Sequence, residues 1–240
     1  MGGADYVVHA GAKLPLEIRR FCGPEFRDNE HYLRTAEAEA ERIVKRCALP
    51  HGGTVLDVGC GQGRLAIGLL RTAPRGSISY LGVDVDRSSV SWCAKHLANK
   101  SFRFAHVDVE NARYNPTGQL QLEVSPFRFD VPDRSVDLIY AYSVFSHMEL
   151  KQIEVYLAEF KRVLKQSGTI FLTTFIEDGL DQPFEVNPRG YAVPISGPLH
   201  VVRFDRRFWA KTVANAGLRI RELEHGVEAN GQSGNYLSHA

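Results

Sequence analysis

Thr54-Val-Leu-Asp-Val-Gly-Cys-Gly-Gln-Gly-Arg64 decides how this chain reads. A short apolar run, Val55, Leu56 and Val58, ends in glycines at 59, 61 and 63. A helical pattern then begins near Arg64, with Leu65, Ile67, Leu69 and Leu70 as its apolar positions. Strand, glycine turn and helix in that order make a corner for a nucleotide-type ligand. Glycine lets the backbone bend with φ > 0 and approach the ligand closely. The spacing says more than the glycines. A dinucleotide fingerprint, G-x-G-x-x-G, places its third glycine three residues after the second. Here Gly63 comes two residues after Gly61, and an acid, Asp57, sits inside the strand end.

Three more strand ends follow. Tyr80-Leu-Gly-Val-Asp84 reads as a second short strand, with Asp84 placed to accept hydrogen bonds from ribose hydroxyls. Phe102-Arg-Phe-Ala-His-Val-Asp108 reads as a third, again closing on an acid. Val136-Asp-Leu-Ile-Tyr-Ala-Tyr142 is a fourth, followed by Ser143-Val-Phe-Ser-His-Met148.

Asp-x-Gly-x-Gly-x-Gly, with these strand ends in order, resembles the class I S-adenosylmethionine-dependent methyltransferases. The resemblance is to the small bacterial type related to methyltransferase groups 11 and 25, and it spans roughly residues 14 to 237. It implies a Rossmann-like, doubly wound α/β fold whose seven-stranded sheet is mostly parallel with an antiparallel last strand. It also implies S-adenosylmethionine as cofactor, held by Asp57, Gly59, Cys60, Gly61, Gly63, Asp84, Val85, Asp108, Val109 and Tyr142. Asp108 would meet the adenine amino group, with Glu110 its nearest competitor, while Val85 and Val109 would flank the ring. Some related enzymes place a Glu and a His after the fourth strand to hold a divalent metal. No acid lies between Tyr142 and His147 here, where Ser143 and Ser146 stand instead, so no metal is expected.

Composition bounds the rest. At 240 residues, 44% hydrophobic and 24% charged, the chain suits one soluble domain with a sizeable core. A formal charge of +1 without long runs of either sign speaks against a nucleic-acid or anionic-membrane partner. No segment approaches the ~18 apolar residues of a spanning helix, and no basic-then-apolar signal pattern opens the chain. A cytoplasmic location follows as the expectation. Cysteines 22, 47, 60 and 93 show no paired or metal-like spacing. They read as reduced thiols, Cys60 near the ligand and the other three as small buried hydrophobes.

In chain order, residues 1–29 read as an irregular arm or lid and 30–240 as a single domain with turn-rich insertions at 111–135 and 176–203. Arg19, Arg20 and Gly23 of the arm would either fold over the methionine carboxylate or lie on a solvated surface. A helix from about Glu30 to Cys47 is available to Asp28 or Asn29 as cap, and one through Leu97 to Asp86 or Ser88. Leu150, Ile153, Leu157, Phe160 and Leu164 make an amphipathic helix closed by Gly168, before a fifth strand at Thr169–Phe175. Asp205 begins a last helix ending at Gly217. Leu218–Leu223 and Tyr236–Ser238 form the final strand pair, by resemblance a hairpin.

His147 is the candidate for chemistry. It follows the fourth strand, and an imidazole, of ordinary pKa ~6.5, serves as a base near neutral pH. The bland reading is a histidine that shapes the pocket or packs beneath it. Phe145, Tyr191, His200 and Arg203, with Tyr142 and His225, are candidates to line an acceptor pocket. Trp92 and Trp209 read as core. The function expected is methyl transfer to a small-molecule or glycan-type acceptor, O-methylation before N-methylation. The alternatives are a non-catalytic S-adenosylmethionine-binding protein and a nicotinamide-dependent oxidoreductase, the latter opposed by the glycine spacing.

Overall fold

The computed structural model describes residues 4–21, 23–122, 124–191, 194–228 and 230–240. They form two compact units, one through Val107 and one from Asp108.

The first unit opens with an antiparallel hairpin, β1 (Tyr6–His9) and β2 (Ala12–Pro15). Regular structure therefore lies within what the sequence suggests is an irregular arm. The rest of the arm closes around Arg20, which is neither solvated nor free to meet a carboxylate. Its guanidinium donates twice to Pro15 O, at 3.0 and 2.8 Å, and also to Phe26 O at 2.8 Å and Asn29 Oδ1 at 2.6 Å. It lies over the Tyr32 ring. Asp5, before the hairpin, accepts from the Trp92 indole through its carbonyl at 2.8 Å. The Asp5 carboxylate meets Lys95 and His96, and these hydrogen bonds hold its pKa down to about 2.

α1 (Asn29–Arg46) is capped by Asp28, whose carboxylate accepts from His31 N–H at 2.7 Å. It buries Tyr32, Leu33, Ala36, Ala40 and Ile43. β3 (Gly53–Val58) then leads into α2 (Arg64–Thr72), which buries Leu65, Ile67 and Leu69. Leu70, read with them from the sequence, is 39% exposed. α1 and α2 pack almost backbone to backbone, since a Cβ on Gly68 would stand 2.1 Å from Ala36 O. Alanine has the better helix propensity by ~0.8–1 kcal/mol, but overpacking costs ~1–3 kcal/mol or more. Overpacking against a rigid carbonyl wins, so Gly68→Ala is expected to lower stability in urea denaturation by roughly 1–3 kcal/mol. A stabilised variant would contradict this helix contact.

β4 (Ile78–Asp84) pairs in parallel with β3, and β5 (Phe102–His106) in parallel with β4. Between them α3 (Arg87–His96) is capped by Asp86, which accepts from the N–H groups of Ser88 and Ser89. Trp92 is core, as its helix position suggests, and Cys93 is buried. Cys47 is only half-buried, against expectation, and Cys22 lies outside the described residues.

In the second unit, β6 (Val136–Ala141) precedes α4 (Leu150–Val163) and the long strand β7 (Leu164–Glu177). The helix stops earlier than its apolar spacing suggests. Leu164 already pairs with Val136, and the register shifts before Leu138 meets Thr169, so Gly168 belongs to an irregular strand rather than a helix cap. β8 (Phe184–Val186) pairs antiparallel with β9 (Val202–Asp205), and β9 pairs in parallel with the end of β7. α5 (Arg206–Asn215), capped by Asp205, leads to β10 (Leu218–Glu224) and β11 (Ser233–His239). β11 runs antiparallel to both β10 and β7. Trp209 is buried, its indole donating to Asn235 Oδ1 at 2.9 Å.

The turn-rich segment 111–135 is tied down in its second half. Phe127 and Phe129 pack on Tyr156 of α4, and Phe129 N–H donates to Glu159. Arg162 donates to the carbonyls of Phe129 and Val131 and pairs with Glu159 and Asp133. Among the described residues no helix is long and apolar enough to cross a membrane.

Candidate active site

In the first unit the chemistry gathers where β3 and β4 end. Gly59 and Cys60 both donate their N–H groups to Val83 O, at 2.8 and 3.0 Å, so the chain leaves β3 bound to the end of β4. Gly59, Gly61 and Gly63 have φ of 75°, 50° and 76°, a region closed to most side chains. A Cβ on Gly61 would meet nothing within 4 Å, so the turn offers an open backbone face there. On Gly63 it would stand 2.6 Å from a Leu97 methyl, which fixes glycine at the start of α2.

Asp84 holds this corner. Its Oδ2 accepts from Gly61 N–H at 2.7 Å and its Oδ1 from Asp86 N–H at 2.8 Å. Burial raises its pKa, and these two N–H groups work against that rise. Val85 N–H acts in the same direction, and a carboxylate's roughly four acceptor sites leave room for a further donor. Asp57 is 2% exposed and accepts from the Tyr80 hydroxyl on β4. Burial first, then repulsion from Asp84, pushes its pKa up to about 7. Cys60 is buried, with its thiol pushed well up, so the thiol is unreactive. Val85 is half-buried, and its carbonyl accepts from His106 Nε2 at 3.0 Å.

In the second unit the chemistry gathers around His147, in a short 3-10 turn over Phe145–His147. Its Nδ1 lies 3.0 Å from Leu199 O. A carbonyl only accepts, so the proton sits on Nδ1 and Nε2 carries the lone pair. Burial, reinforced by the charge of Arg113, lowers the pKa to about 4 despite the Leu199 bond. The ring is therefore a neutral acceptor at neutral pH. Ser143 Oγ stands 3.5 Å from Nε2, and the Gln232 amide donates to both Ser143 Oγ and Ser146 Oγ. Ser143 N–H donates to Thr173 Oγ1, whose hydroxyl donates to Gln232 Oε1. Ser143 and Leu199 hold φ of 57° and 45°. Non-glycine residues in this region store backbone strain, which concentrates at functional sites. Both touch the same imidazole.

Other residues singled out in the sequence fall in several places. His200 stacks beside His147 at 6.4 Å, its pKa lowered by burial and Arg113. Phe145 does not line a pocket: it is fully buried between Phe160 and Trp209. Tyr191 packs on Phe175 and under Arg203, and burial with neighbouring Glu177 pushes its phenol up to about 12. Arg203 is committed to Glu177 and Glu185, at 3.2 and 2.7 Å. Tyr142 donates to Glu228 at 3.2 Å. Asp108 accepts from Asn115 Nδ2 at 3.1 Å, and Val109 is buried in a bridge to Leu120. His225 reaches Ser233 Oγ at 3.3 Å. Among the described residues no cluster of His, Cys, Asp and Glu has the makings of a metal site.

Reading by motif misses Ser143, Leu199, Asn111, Arg113 and Gln232. Only the doublet of Ser143 and Ser146 before His147 hints at the polar set.

A glycine corner of this spacing, closed by an acid on the next strand, defines a nucleoside-binding α/β protein. A family model described as a methyltransferase domain matches residues 32–223. The chain belongs to that family, the class I S-adenosylmethionine-dependent methyltransferases, and S-adenosylmethionine is its cofactor. Solved structures share the fold at low identity. A SAM-dependent methyltransferase from Aquifex aeolicus is 20% identical, with 88% of this chain and 93% of that one covered and a TM-score of 0.54. A TehB-like SAM-dependent methyltransferase from Corynebacterium glutamicum is 18% identical, with 86% and 94% covered and a TM-score of 0.53. The 1,6-didemethyltoxoflavin-N1-methyltransferase from Burkholderia thailandensis, solved with 1,6-didemethyltoxoflavin and S-adenosylhomocysteine, is 15% identical. There the coverage is 88% and 80%, and the TM-score 0.56. The fold is Rossmann-like α/β, mostly parallel with an antiparallel last strand.

Proposed function

We propose that this enzyme methylates a hydroxyl group on a small molecule, with His147 as the base. The observation that carries the reading is the neutral imidazole with its Nε2 lone pair beside Ser143. The bound cofactor supplies an electrophilic methyl on a cationic sulfur. The residues present fit it: the open backbone face at Gly61 admits close approach, and Asp84 keeps lone pairs for ribose hydroxyls. Gly59, Gly61, Gly63, Asp84 and Val85 would hold it in the first unit, while the Asp57 carboxylate supports β4 through Tyr80.

The acceptor hydroxyl would give its proton to His147 Nε2, directly or through the Ser143 hydroxyl, the cofactor leaving as S-adenosylhomocysteine once it has given up its methyl. Gln232 donates to Ser143 Oγ, which leaves the serine hydrogen for His147 or Ser146. Leu199 O stabilises the imidazolium that forms, through Nδ1–H.

A net charge of +1 favours a small acceptor over nucleic acid. Free thiols at Cys60 and Cys93 fit a reducing compartment such as the cytoplasm. Hydroxyl and amine compounds of matched skeleton, offered with S-adenosylmethionine, test the proposal. The expected result is S-adenosylhomocysteine formed with the hydroxyl members and the methyl on oxygen. Turnover confined to amines would overturn O-methylation, and no acceptor-dependent turnover would favour a non-catalytic binding protein.

A further inference from the structure

Beside His147 the second unit holds a guanidinium without an acid. Arg113 stands in a turn built by Asn111, whose Oδ1 accepts from the N–H groups of Arg113 and Tyr114, both at 3.0 Å. Asn111 Nδ2 donates to His147 O at 3.1 Å, so this turn is tied to the backbone of the base. The Arg113 guanidinium lies over the Tyr114 ring and donates through Nη1 to Ser196 O at 2.6 Å. Tyr114 in turn meets the His147 ring edge-on at 5.8 Å.

The other edge of the guanidinium is uncommitted. Among the described residues Arg113 makes no ion pair, and its Nε is buried with no hydrogen-bond partner. A buried donor left without a partner is costly, more so where the group is charged. The imidazoles of His147 and His200 beside it carry no negative charge to offset the cation. The Nε and Nη2 edge of an arginine matches the two oxygens of a carboxylate or phosphate in a parallel pair of N–H bonds. Arg203 shows the contrast within the same unit: it spends the same Nε and Nη2 edge on Glu185.

We infer that Arg113 is an anion subsite of the acceptor site, and that the acceptor is a hydroxyl compound bearing a carboxylate or phosphate group. The inference rests on the reading of His147 as the acceptor base, and it names the substrate class. The anion pairs with Arg113 while the hydroxyl lies against His147 Nε2. The rings of Tyr114, His147 and His200 lie in mutual contact beside these two groups, which favours a flat skeleton.

Titration calorimetry on the full chain, in the presence of S-adenosylhomocysteine, tests the subsite without knowledge of the acceptor. The probes are benzoate, benzamide and inorganic phosphate. Benzoate or phosphate is expected to bind saturably and benzamide not. Arg113→Gln should weaken anion binding by about tenfold or more. Arg113→Lys, which keeps the charge but not the paired N–H edge, should fall between. S-adenosylhomocysteine affinity should stay the same in all three proteins, which also shows that the variants are folded. Benzamide binding equal to benzoate, anion binding unchanged in Arg113→Gln, or no anion binding to the wild type would each overturn the subsite. The two readings fail separately. Loss of the subsite leaves His147-dependent turnover standing, whereas His147→Ala with full turnover leaves the anion site standing and removes the base.

Discussion

His147→Ala is expected to lower kcat by ~10²–10⁴-fold, the usual share of a general base, while S-adenosylmethionine affinity stays near the wild-type value. His147 is proposed to meet the acceptor rather than the cofactor, so its removal should leave that affinity alone. The pH dependence carries a second signature. From the sequence, an ascending limb near the ordinary imidazole pKa of ~6.5 is expected. Burial moves it down to about 4, so the wild-type rate should be flat from pH 6 to 8 for this group and fall only in acid. The same shift bears on stability. The unfolded chain takes up a proton near pH ~6.5, but the folded imidazole refuses it until about pH 4. Wild-type stability should therefore decrease as pH falls through that window, and His147→Ala should lose less of it. A variant with wild-type turnover would reduce His147 to a packing residue.

Asp84→Ala is expected to weaken S-adenosylmethionine binding by about 10–100-fold, the worth of a charge-assisted hydrogen bond of roughly 1.5–3 kcal/mol. The sequence suggests only a ribose contact, with fold stability little changed. The structure adds a second role, because the carboxylate also binds the N–H groups of Gly61 and Asp86. Alanine leaves both donors without this acceptor and frees the turn, so melting temperature should drop as well. Asp84→Asn keeps one acceptor oxygen and should fall between the two. Calorimetry with unaltered affinity in Asp84→Ala would remove Asp84 from the cofactor site.

What the sequence reveals and what it hides divide along physical lines. The glycine corner is legible because three residues at fixed spacing must each adopt positive φ, a requirement that few side chains meet. Helix caps are legible for the same local reason, and Asp28, Asp86 and Asp205 all accept from first-turn N–H groups. The surroundings of His147 are not local. Leu199 lies 52 residues on and Gln232 further still, and their backbone or amide roles leave no mark on composition. Leu199 carries positive φ without being glycine, so no turn rule announces it. Arg20 shows the reverse error. An arginine in a turn-rich arm reads as surface, yet its fork satisfies carbonyls that would otherwise be buried unpaired. Phe145 reads as pocket lining because it follows a strand end, but the 3-10 turn directs it between Phe160 and Trp209.

The claim that a neutral His147 offers Nε2 as the base is open to direct measurement by nitrogen-detected ring correlations of ¹⁵N-histidine-labelled protein, assigned with His147→Ala. A protonated Nδ1, an unprotonated Nε2 at neutral pH, and a titration midpoint at about 4 are expected. A ring protonated on Nε2 at neutral pH, or a midpoint near the ordinary ~6.5, would contradict it.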